Sequence, residues 1–138
     1  MRTWIYIVAA ALWLPIGCKD KEGPEDWAPN FEGRFKGVYT AKGLTPSQNS
    51  VINNLDLQLS PGGTEPSAVD ARFSVASFSF TLRGKVTSAT RMDFGEQVYL
   101  GGMASGYLLL GNNNQSVEVQ LKTSGVDHTE ANFFGTRE

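Results

Sequence analysis

The chain has 138 residues, of which 41% are hydrophobic and 19% charged, enough for one domain with one modest core. Twelve basic residues face fourteen acidic ones, a net charge of −2, and no basic stripe stands out, so nucleic acid is excluded as an expected partner. The single cysteine excludes a disulfide within the chain, so packing and backbone hydrogen bonds must hold the domain.

Arg2 supplies a positive charge, and residues 4–14 form an unbroken apolar run that leads into Pro15-Ile16-Gly17-Cys18. The run is shorter than the roughly 20 residues of a membrane-spanning helix and reads as a secretory signal. It resembles the signal of bacterial lipoproteins, which is cut before a cysteine that carries acyl chains. Ile16 and Gly17 fit that motif, while Pro15 stands where an aliphatic residue is usual. The resemblance implies a cleaved signal helix over residues 1–17 and attachment to the membrane through acyl chains on Cys18. Lys19-Asp20-Lys21-Glu22 is similar to the charged export signal of Bacteroidota surface lipoproteins, with a solvated linker as the alternative. The implied location is the outer membrane, on the cell surface or facing the periplasm.

Residues 18–30 read as the lipidated cysteine and a flexible tether, with Gly23, Pro24 and Pro29 among charges. Trp27 in this stretch either packs back on the domain or sits at the membrane interface. From residue 31 to 138 the chain reads as short strands. Phe35, Gly37, Tyr39 and Ala41 alternate with Lys36, Val38 and Thr40. Leu55, Leu57 and Leu59 alternate with polar neighbours until Ser60-Pro61-Gly62-Gly63 stops the strand. Val69, Ala71, Phe73 and Val75 are apolar at odd positions, whereas Phe78, Phe80 and Leu82 are apolar at even ones. One register step flips every side chain, so a tight turn or bulge is expected near Ala76 and Ser77.

Met92 and Phe94 continue the pattern, followed past Gly95 by a strand through Val98 and Leu100 and a turn at Gly101-Gly102. Residues 107–110 are continuously apolar, and Gly111-Asn112-Asn113-Asn114 predicts a hairpin. Val117, Val119 and Leu121 alternate with Glu118, Gln120 and Lys122, and residues 130–137 close the chain. About eight strands at regular spacing, with no helical periodicity, predict an all-β fold. It is either a small antiparallel up-and-down barrel or a sandwich.

The stretch Gly37-Val38-Tyr39 is similar to the first strand of lipocalin-like barrels, where Gly-x-Trp opens the barrel. The resemblance implies that Arg137 lies over Tyr39 as a cation–π partner. It also implies a ligand cavity. Phe35, Tyr39, Phe73, Phe80, Tyr107 and Phe133 fall on predicted inward faces, where they line such a cavity or fill the core.

Catalytic chemistry leaves little trace. His128 is the only histidine, flanked by Asp127 and Glu130 in what reads as a turn. No Gly-x-Ser-x-Gly, phosphate-binding glycine loop or calcium loop is present. No catalytic residue, metal ligand or cofactor is therefore assigned. The leading expectation is a non-catalytic binding or interaction module of the cell envelope. The rivals are a carrier of a small hydrophobic ligand, an enzyme of unrecognised type, and an accessory subunit adding a strand edge to an envelope protein.

Overall fold

A computed structural model describes residues 27–138; the signal segment 1–17, Cys18 and the charged run Lys19, Asp20, Lys21 and Glu22 lie outside the described residues. Eight strands follow one another: β1 Gly33–Gly43, β2 Ser50–Pro61, β3 Ala68–Val75, β4 Phe78–Val86, β5 Arg91–Tyr99, β6 Gly102–Gly111, β7 Ser116–Ser124 and β8 His128–Arg137. Each pairs antiparallel with the next, and β8 returns to β1, so the meander closes into a barrel rather than a sandwich. The closure is uneven: β4 and β5 share only three ladder pairs, Gly84, Lys85 and Val86 opposite Phe94, Asp93 and Met92. Beyond them the strands part, and the Gln97 side chain bridges the gap, its Oε1 accepting from the Arg83 N–H and its Nε2 donating to the Arg83 carbonyl, both at 2.8 Å.

Alternation fills the interior. Phe35, Tyr39 and Ala41 of β1, Leu55, Leu57 and Leu59 of β2, and Val69, Ala71 and Phe73 of β3 all point inward and are buried. The predicted change of phase is a two-residue turn at Ala76 and Ser77. Val75 stands opposite Phe78, which puts the odd row of β3 and the even row of β4 on one face.

The sequence pattern misleads in β5. A bulge between Phe94 and Gln97 inserts one residue and reverses the alternation. Tyr99 therefore turns inward, Val98 is 72% exposed, and Leu100 sits in the following turn with φ 47°. Val98 and Leu100 are outside the core, contrary to the expected apolar row. The Asn112-Asn113-Asn114 hairpin forms as expected, with φ of 52°, 56° and 66° at successive residues. Asparagine tolerates this left-handed region better than other non-glycine residues.

The two ends of the barrel differ. One is closed by a 3-10 turn, Ala28–Phe31, whose Phe31 is fully buried. Trp27 packs against the core there rather than standing free in the tether, so residues 27–30 belong to the folded domain. Arg137 locks this end. Its Nε donates to the Asn114 carbonyl at 2.9 Å, and Nη1 and Nη2 donate to the carbonyls of Glu32 at 2.7 Å and Asn30 at 3.2 Å. Its guanidinium carbon lies 4.6 Å from the Phe35 ring centroid. The aromatic partner is thus Phe35, not the expected Tyr39, and the motif shifts four residues to Gly33-Arg34-Phe35. Gly33 has φ 135°, and a Cβ there would run into the Arg137 guanidinium. The opposite end, ringed by the β1–β2, β3–β4, β5–β6 and β7–β8 loops, forms the mouth.

Arg137→Ala strips a cation from Phe35 and leaves three carbonyls without their donor. It should lower unfolding stability by about 2–3 kcal/mol in urea titrations. Arg137→Lys should recover less than half of that loss, because an ammonium cannot fork to three carbonyls and stack at once.

Candidate functional site

The polar chemistry of the barrel is concentrated at the mouth. His128 starts β8 and is 6% exposed. Its carbonyl accepts from the Thr123 hydroxyl at 2.7 Å, which fixes the strand start. Asp127, in the loop before β8, places Oδ1 3.0 Å from His128 Nδ1, while the Asp127 side chain itself is 80% exposed. A carboxylate only accepts, so Nδ1 carries a proton, and in the neutral ring Nε2 is the acceptor. The Tyr99 hydroxyl, reaching across from the end of β5, donates to Nε2 at 2.9 Å. The Tyr99 oxygen in turn accepts from the Tyr39 hydroxyl of β1. Four side chains from three parts of the fold thus form one hydrogen-bonded chain from solvent into the interior.

Burial dominates the electrostatics of this chain. It pushes the Tyr39 hydroxyl above its ordinary pKa, and the neighbouring Asp127 charge pushes the same way, against the Tyr99 hydrogen bond. Burial also raises Tyr99, reinforced by the hydrogen bond and charge of Tyr39 and by Asp127. Both phenols therefore stay protonated at neutral pH. Glu130, grouped with Asp127 and His128 in the sequence, points away and lies 3.9 Å from Lys42. Among the described residues, no group of three His, Cys, Asp or Glu side chains is placed to hold a metal ion.

Five of the six expected cavity residues point inward, and four of them, Tyr39, Phe73, Phe80 and Phe133, form one aromatic cluster. Phe73 stacks on Phe80 at 4.8 Å between centroids, and Phe133 meets the Phe73 ring edge-on at 5.8 Å. Phe80 packs edge-on to Tyr99 at 4.9 Å, with Tyr39 at 6.1 Å. Phe35 lies beneath Arg137 at the far end. Tyr107 departs from expectation. It stands on the outer wall, where the Arg91 guanidinium carbon lies 4.6 Å from its ring centroid. Residues 107–110 alternate like any strand, with Leu108 and Leu110 buried and Tyr107 and Leu109 outside. Two clefts, of about 200 and 130 Å³, open on that outer wall.

No protein-family model and no curated protein matches the chain. Among solved structures, the chain is similar to a de novo designed fluorescence-activating β-barrel. The two share 23% identity at a TM-score of 0.51, covering 82% of this chain and 98% of that one. The likeness shows the fold.

Tyr99→Phe should destabilise the protein by about 1–3 kcal/mol, because it leaves His128 Nε2 and the Tyr39 hydroxyl without their buried partner. The raised phenols also set an alkaline limit. Unfolded tyrosine ionises near pH 10, while the folded phenols still hold their protons. Stability is therefore complete below about pH 10 and falls as the pH rises further. Urea midpoints measured from pH 8 to 11 should show this decline, and Tyr39→Phe should flatten it.

Proposed function

We propose that this chain is an envelope lipoprotein, held in the outer membrane through acylated Cys18 and routed to the surface by Lys19, Asp20, Lys21 and Glu22. Its barrel acts as a non-catalytic module that binds an envelope protein through its outer wall. The contrast between the inside and the outside of the barrel supports this reading. An outward row crosses five strands: Arg91, Leu109, Glu118, Phe134 and Val38. Phe134 is 61% exposed and Val38 40%. Phe134 and Leu109 also border the larger cleft, of about 200 Å³. A large aromatic exposed beside a cleft matches the anchor and pocket of a protein contact. The carrier reading draws less support, since the interior rings pack on one another at 4.8 to 6.1 Å.

Cys18→Ser should shift the protein from the membrane pellet to the soluble fraction. A photo-crosslinking amino acid in place of Phe134 should give a discrete protein adduct in cells, and the same group at Lys85 should give none. Native mass spectrometry of the Cys18→Ser chain after incubation with an envelope extract should return the bare mass. An added lipid-sized mass would favour the carrier instead.

A further inference from the structure

We infer that the smaller cleft on the outer wall is a binding site for neutral carbohydrate. It lies nearer the mouth than the Phe134 row and has a different character. Two outward rows border it. One runs Tyr107, Gln120 and Asn132 across β6, β7 and β8; the next runs Ser105, Lys122 and Glu130 across the same strands. The space between them is about 130 Å³, floored by Gly106 and Leu121.

The lining has the chemistry a sugar requires. A sugar ring presents an apolar face of C–H groups and a rim of hydroxyls, each of which both donates and accepts. Tyr107 supplies a flat aromatic wall. Arg91 covers it from the closed-end side, since Arg91 pairs with Leu109 one row away, and Asp93 holds the Arg91 Nε at 2.9 Å. The ring is thereby steadied, and Tyr107 borders the cleft. Gln120 is steadied as well. Its Nε2 donates to Glu118 Oε2 at 2.8 Å, which leaves its carbonyl oxygen as an acceptor. Asn132 brings a donor and an acceptor, the Ser105 hydroxyl brings both, Lys122 brings donors, and Glu130 accepts.

Other small ligands fit less well. An apolar ligand would strip water from two amides, an ammonium and a carboxylate without replacing it. A polyanion would meet Glu130 in the lining and Glu118 beside Gln120. The mixed lining leaves a neutral polyhydroxylated ring as the class that satisfies both the aromatic wall and the amides. The cleft shares no lining residue with the one beside Phe134. Arg91 and Glu118 of the contact row nevertheless brace Tyr107 and Gln120, so the Tyr107 and Asn132 variants are read against the Phe134 crosslink.

Saturation-transfer difference NMR tests the inference on the Cys18→Ser chain, with maltotriose, cellotriose, xylotriose and mannotriose as probes. Transfer to the ring C–H protons of at least one trisaccharide is expected. Tyr107→Ala should weaken that binding about tenfold, while Tyr107→Phe should keep it. Asn132→Ala, a change at an exposed position, should also weaken it with the thermal midpoint unchanged. Absence of transfer from all four sugars, or transfer undiminished in both alanine variants, would overturn the assignment. Loss of the Phe134 crosslink in Tyr107→Ala, without any sugar signal, would assign the cleft to the protein contact and overturn it equally.

Discussion

The pairing of β1 with β8 is the constraint on which the rest of the molecule depends. It runs from Phe35 opposite Arg137 to Gly43 opposite His128. That single ladder closes the barrel and brings the last strand beside the first. It also delivers the two polar features of the interior to opposite ends: the Arg137 clamp where the chain enters and the His128 chain at the mouth. Gly37 shows how tight the closure is, because a Cβ there would collide with the Phe134 carbonyl of β8. A residue with any side chain would push the two strands apart.

An eight-stranded barrel has an interior just wide enough for its own side chains. Here Leu55, Leu57, Val69, Leu82, Met92 and Leu108 are fully buried, and the aromatic cluster packs ring on ring beside them. A buried imidazole in such a setting needs a partner at each nitrogen, because an unpaired buried polar atom costs more than a hydrogen bond returns. Asp127 and Tyr99 meet that need, and Tyr39 completes the chain. The two clefts, at Phe134 and at Tyr107, lie outside, on the barrel wall.

Much of the fold was legible in the sequence. Strict alternation marked the strands, glycine, proline and asparagine marked the turns, and the change of phase at Ala76 and Ser77 marked a hairpin. The candidate site was much less legible. His128 and Asp127 stood out as the lone histidine and its acidic neighbour, but Tyr99 did not. The β5 bulge turns Tyr99 inward against the local alternation, and its one sequence mark is Gly95, an isolated glycine inside the strand that does not say by itself which later residues change face. Tyr107 failed for a related reason. An unbroken apolar run carries no phase, so it does not say which of its residues face inward.

The sequence by itself determined an all-β chain of about eight strands, a lone cysteine behind an apolar run, and a domain without disulfide support. Those properties follow from local periodicity and composition, which neighbours along the chain are enough to express. The tertiary structure decided between barrel and sandwich, gave Arg137 to Phe35 rather than Tyr39, and joined Asp127, His128, Tyr99 and Tyr39. Each of these depends on register between strands distant in sequence. A bulge of one residue changes that register while leaving local composition untouched.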